Sequence, residues 1–106
     1  MNKIYVAGPY TLGDIGINVK NSLDAANELM DAGFCPFVPL LSHFWHIVHP
    51  RPYADWINYD IEWLYACDAV LRLPGASSGA DNEAKLAELH DIPVFYSIED
   101  LMSAEI

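Results

Sequence analysis

Four short apolar runs alternate along this chain with stretches of helical periodicity, and that alternation restricts the fold more than any other feature. Ile4-Tyr5-Val6-Ala7 is closed by Gly8-Pro9, a strand followed by a turn. A helix is predicted over about Ile17 to Ala32, where Val19, Leu23, Ala26 and Met30 recur at i, i+4, i+7 and i+11 as one buried stripe. Gly33 is its expected left-handed stop. Phe34 to Pro39 reads as a second strand, and its two prolines place it at a sheet edge. Leu40 to Arg51 shows no clean period. Tyr53 to Ala66 reads as a helix, with Ile57, Ile61 and Leu64 on one face and Pro52 near its start. Asp68 to Leu73 is the most central-looking strand. Gly79 to His90 follows as a helix whose small face is Ala80, Ala84 and Ala87. Ile92 to Tyr96 is the fourth strand, and Glu99 to Ala104 a terminal helical turn or two.

This order predicts a single α/β domain built on a doubly wound parallel sheet of about four to five strands, flavodoxin- or Rossmann-like, with right-handed crossovers. At 106 residues the chain suits one such core. Ligands of such sheets bind outside the carboxyl ends of the strands. Three loops leave those ends, Gly8 to Gly16, Leu40 to Pro52 and Pro74 to Asn82, and they hold most of the glycine and histidine.

Composition removes several partners. A 53 % hydrophobic content excludes a disordered chain. Five Lys and Arg against fifteen Asp and Glu give a net charge of −10, which repels a nucleic acid polymer. A single phosphate is still acceptable, because a helix N-terminus can hold one. No apolar stretch approaches the roughly 20 residues that span a bilayer, so no membrane is expected. The N-terminus reads directly as a strand, with no signal-peptide pattern. Cys35 and Cys67 match no metal or redox spacing and are expected to be buried thiols of a reducing cytoplasm.

The residues able to do chemistry sit mostly in or beside those loops. Ser77-Ser78-Gly79-Ala80-Asp81-Asn82-Glu83 is a small polar turn that opens a helix. Such a turn exposes backbone N–H groups and a positive dipole end, which is expected to hold Glu83 ionised. An ionised, positioned glutamate suits nucleophilic attack on a sugar carbon. The other reading is a solvated first-turn acid. Tyr5 is either a core aromatic of its strand or a hydroxyl that orients a carboxylate. Asp60 lies beside the apolar stripe of its helix, so partial burial would raise its pKa and suit a general acid. It falls about two turns into that helix, and reaches the strand ends only if the helix begins well above the sheet. His43, His46 and His49 match no standard zinc pattern. With Phe44, Trp45 and Trp56 they read as an aromatic-lined wall or a subunit contact.

Taken in order, Tyr5-Val6-Ala7-Gly8-Pro9, Asp60-x-x-Trp63-Leu64, Cys67-Asp68-Ala69-Val70 and Ser77-x-Gly79-x-x-x-Glu83 resemble the nucleoside 2-deoxyribosyltransferase superfamily, which includes the deoxynucleoside-monophosphate N-glycosidases. Leu41 to His46 and His49 to Tyr53 are similar to its compact DUF4406 subgroup. The resemblance covers nearly the whole chain, 1–106, as one domain. It implies that Glu83 is the nucleophile at C1′, Asp60 the acid/base and Tyr5 the residue beside the nucleophile. Ala7, Gly8, Pro9, Ser77, Gly79 and His43 are implied as substrate-binding residues. The implied ligand is a small nucleoside or nucleotide, with no metal and no organic cofactor, in a homodimer. An enzyme of the N-glycosidic bond is the first reading, and a non-catalytic nucleotide-binding module that senses or sequesters its ligand is the alternative. The monophosphate glycosidases carry an arginine in the first loop, where this chain has Pro9-Tyr10-Thr11-Leu12; Arg51 or Lys85 could take its place.

Overall fold

The computed structural model describes residues 2–104. Strand β1 spans Lys3–Ala7, β2 Cys35–Phe37, β3 Ala69–Arg72 and β4 Val94–Phe95. They form one four-stranded sheet in the order β2-β1-β3-β4, parallel throughout. Helix α1 spans Ile15–Asp31, α2 Ser42–Val48 after a 3-10 turn at Pro39–Leu41, α3 Tyr53–Tyr65, α4 Ser78–Leu89 and α5 Ile98–Ser103. The expected doubly wound α/β sheet is therefore present, at four strands. No helix among the described residues is long and apolar enough to cross a membrane.

Alternation along β1 and β3 divides the core. Ile4, Val6, Ala69 and Leu71 face α1 and α5, where Ala25, Ala26, Leu29 and Leu101 cover them. Tyr5, Ala7 and Val70 face α3 and α4, where Leu64, Ala80 and Ala87 cover them. The alanine face of α4 is buried as expected, and small side chains let this helix lie close to the sheet.

The stripe on α1 differs from its prediction. Leu23 and Met30 are 41 % and 64 % exposed, and Ser22, Ala25, Ala26 and Leu29 are the buried residues. These four recur at i, i+3, i+4 and i+7, and one hydroxyl among them hid the true face from a hydropathy reading. On α3 only Leu64 is fully buried; Ile57 lies at the rim. Cys35 is exposed on the edge strand, contrary to expectation, whereas Cys67 is buried and its thiol is pushed up to about 11, chiefly by burial.

The caps explain where the helices begin. Ile17 N–H donates to Asp14 Oδ1 at 3.0 Å, starting α1 two residues earlier than predicted. Ala80 N–H donates to Ser77 Oγ at 3.1 Å, and Asp100 N–H to Ser97 Oγ at 3.1 Å. Each satisfies one otherwise orphaned donor, a stabilisation of about 1 kcal/mol.

Candidate active site

The chain runs from β1 outward to β2 and then crosses to β3 on the other side of β1. The β1/β3 boundary is thus the point where strand order reverses, the usual crevice for a ligand in such sheets. Two turns wall it. A Cβ on Gly8 would meet Leu73 Cβ at 3.2 Å, and one on Gly75 would meet Pro9 Cγ at 2.7 Å. Gly75 also holds φ at +113°, where a side chain is strained. Gly8 and Pro9 are therefore packed against Leu73 and Gly75 and set the spacing of the crevice. A cavity of about 310 Å³ opens there on the α1 side, lined by Pro9, Asn18, Asn21, Ser22, Leu73 and Pro74.

On the α3/α4 side three predicted residues come together. Tyr5, fully buried, donates its hydroxyl hydrogen bond to Glu83 Oε2. Both readings of Tyr5 hold at once: it is a core aromatic and a carboxylate partner. Burial first, then the charge of Glu83, raises the Tyr5 pKa and keeps the phenol protonated as a donor. Asp60 points at the same place. Its Oδ1 is buried with no hydrogen-bond partner, and its carboxyl is pushed from 3.8 to about 7 by burial and then by the charge of Glu83. The residue two turns into α3 thus does reach this centre, since the charge of Glu83 acts on Asp60 and that of Asp60 on Tyr5.

Glu83 departs from its expectation. Burial raises its pKa, while the Tyr5 hydrogen bond and then the charge of Arg72 oppose that rise. Glu83 is the sixth residue of α4, beyond the first turn in which the helix dipole is effective. The two groups that favour its charge are therefore side chains, not the helix end. Asp60 has no such donor. The pair is thus differentiated: Tyr5 and Arg72 favour the charged form of Glu83, whereas burial and the charge of Glu83 both favour the proton on Asp60.

Arg72 lies outside every motif singled out in the sequence. Only 7 % exposed, its guanidinium donates to Leu73 O, to Gly75 O at 2.9 Å and to Asp81 Oδ1 at 2.9 Å. The available signal was an arginine inside the otherwise apolar run Ala69 to Leu73, a residue type almost never buried unless paired.

The remaining predicted residues fall around this centre. Ala7 is buried at the end of β1. Ser77 Oγ is engaged as the α4 cap, and Gly79 has open space where a Cβ would stand. His43 is not joined to the carboxylates; it meets the Tyr10 ring edge-on at 5.4 Å. The segment without a period contains α2, held by rings. Phe37 lies 5.6 Å from Tyr5 and stacks on Trp63 at 5.2 Å. Trp63 leads to Tyr59, and Tyr59 and Trp56 to Trp45. His46 Nδ1 accepts from Trp56 Nε1 at 2.8 Å and from Arg51 N at 3.2 Å. The aromatic wall is thus real, and His46 is one of its polar ties.

The family model described as a domain of unknown function, DUF4406, matches residues 2–96. No curated protein matches the chain. A solved structure of a 2-deoxyribosyltransferase from the psychrotolerant bacterium Bacillus psychrosaccharolyticus superposes with a TM-score of 0.72 at 17 % identity, covering 98 % of this chain and 93 % of that one. At that identity the likeness is one of fold. With the family match spanning nearly its whole length, the chain belongs to the DUF4406 family, on the fold of a 2-deoxyribosyltransferase.

Proposed function

We propose that this protein cleaves, or transfers at, the N-glycosidic bond of a (deoxy)nucleoside or its monophosphate. The observation that carries the reading is the unequal carboxyl pair: Glu83 supported by Tyr5 and Arg72, and Asp60 buried with an unpartnered oxygen. The fold likeness to a 2-deoxyribosyltransferase supports it.

In this mechanism Tyr5 holds Oε2 of Glu83, and Oε1 attacks C1′ of the sugar. The C1′–N bond breaks as the C1′–O bond forms, and its electron pair passes to the base nitrogen, which takes the proton of Asp60. Water or a second base then attacks C1′, gives its proton to the Asp60 carboxylate, and displaces Glu83, as in retaining glycoside chemistry. No step calls on a cofactor.

Lys20 and Arg51 each pair with a carboxylate four residues on. Arg72 is buried in its own turn, and Lys3 begins β1 at the opposite end of the strand. Lys85, exposed on α4, forms no ion pair among the described residues and is the cation left to meet a monophosphate.

The test is chromatography of a mixed pool of ribo- and deoxyribonucleosides and their monophosphates after incubation with wild type and with Glu83→Ala. Free base released by the wild type alone supports the reading and names the substrate. An unchanged pool contradicts it and favours a binding module, which a melting-temperature screen with the same compounds would then identify. The homodimer belongs to the same proposal; light scattering tests it, and a monomer contradicts it.

A further inference from the structure

Arg72 occupies a strand position where an apolar side chain would be ordinary. Ala69, Val70 and Leu71 before it are fully buried. A guanidinium at that depth costs several kcal/mol unless it is answered by partners. All three of its partners, Leu73 O, Gly75 O and Asp81 Oδ1, lie in the segment that leads into and begins α4, the helix that carries Glu83. Asp81 is itself 72 % exposed against 8 % for the arginine side chain. Water screens that carboxylate, so the pair leaves positive charge on its buried side.

The strand register says which way that charge faces. Tyr5 pairs with Val70 and Ala7 with Arg72. Alternation therefore places Arg72 on the same face as Tyr5, one step further along the ladder. Tyr5 holds Glu83 on that face, and the charge of Arg72 acts on Glu83 against the effect of burial.

We propose that Arg72 is a positioning residue for Glu83: it clamps the β3–α4 turn so that Glu83 meets Tyr5, and it supplies the positive charge that this carboxylate faces. The inference rests on Glu83 being the reacting group, and it names what prepares that group before any substrate arrives. The two contributions differ in chemistry. The forked hydrogen bonds to the turn carbonyls need arginine, whereas the charge is common to arginine and lysine.

The experiment is a substrate-free NMR titration of the Glu83 carboxyl in glutamate-labelled protein, for wild type, Arg72→Met, Arg72→Lys and Asp81→Asn. In Arg72→Met the Glu83 midpoint is expected to rise by about 1 unit. In Arg72→Lys it is expected to stay much nearer the wild-type value. An unmoved midpoint in folded Arg72→Met overturns the proposal, since a turn clamp without electrostatic reach would leave it there. If Arg72→Met does not fold, Asp81→Asn decides. Asp81 lies two positions from Glu83 on another helix face, is 72 % exposed, and is not among the charges that act on Glu83, so its removal acts chiefly by unscreening Arg72. A lowered Glu83 midpoint then supports the proposal, and an unmoved or raised one overturns it. The readout needs no turnover. A protein that shows these shifts but releases no base keeps the role of Arg72 and loses the glycosidic reading; base release with an unmoved titration does the reverse.

Discussion

The hydroxyl of Tyr5 donates to Glu83 Oε2 across 78 positions of sequence. Two independent local rules produce that contact. Alternation along β1 turns Tyr5 toward the α4 face, and the Ser77 cap fixes where α4 begins, and so which side of the helix Glu83 occupies. Oε2 is held, which restricts the carboxylate to one orientation and leaves Oε1 as the attacking atom in the proposed reaction.

Tyr5→Phe keeps the ring in the core and removes only the donor. A hydrogen bond to a charged group is worth about 1.5–3 kcal/mol, so turnover should fall roughly 10- to 100-fold. Stability should change by no more than about 2 kcal/mol. Initial rates and urea unfolding check both; an unchanged rate would separate Tyr5 from the chemistry.

Asp60→Asn should alter stability in a pH-dependent way. The folded value of about 7 lies above the ordinary 3.8, so the native state holds this proton more tightly than the unfolded chain does. The resulting stabilisation is complete below pH about 4 and is lost as pH rises through about 7. Asparagine is neutral throughout. The variant should therefore exceed wild type at pH 8 by about 1–2 kcal/mol, allowing for solvent reaching part of the carboxyl, with the advantage disappearing near pH 4. Urea titrations at the two pH values decide it.

The same residue sets the pH profile of the proposed reaction. As general acid, Asp60 must be protonated, so wild-type kcat/KM should decline above pH about 7. Asp60→Asn should lose that limb and fall by about 10²-fold or more. A wild-type profile flat from pH 5 to 9 would contradict the assignment.

Gly75→Ala tests the crevice. The new Cβ would stand 2.7 Å from Pro9 Cγ in a backbone with φ +113°, and a loss of about 2–3 kcal/mol is expected. Gly33→Ala makes the contrast. At φ +92° with nothing within 4 Å of its Cβ, it should cost only about 1–2 kcal/mol. Equal losses at the two positions would mean that Pro9 gives way.

The strands could be read from the sequence because each is a compact apolar run punctuated by glycine or proline, and their parallel order follows from the intervening helices. The buried face of α1 could not, because Ser22 occupies a core position while Leu23 and Met30 lie outside it. Helix α2 escaped for a different reason: rings hold it against α3, and its own sequence has no apolar period. In the site, Tyr5, Asp60 and Glu83 were each visible as residues with two possible meanings. What the sequence did not contain was the balance on Glu83, where burial raises the pKa and the Tyr5 hydrogen bond and then Arg72 oppose it. That balance depends on register between strands far apart in the chain.

Acid-quenched mass spectrometry of the protein during turnover on the nucleoside identified from the pool addresses the central claim most directly. The account predicts a transient adduct of one glycosyl group, mapped by peptide fragmentation to Glu83 and absent from Glu83→Gln, whose turnover should drop at least about 10³-fold. Base release with Glu83 unmodified, and persisting in Glu83→Gln, would contradict it.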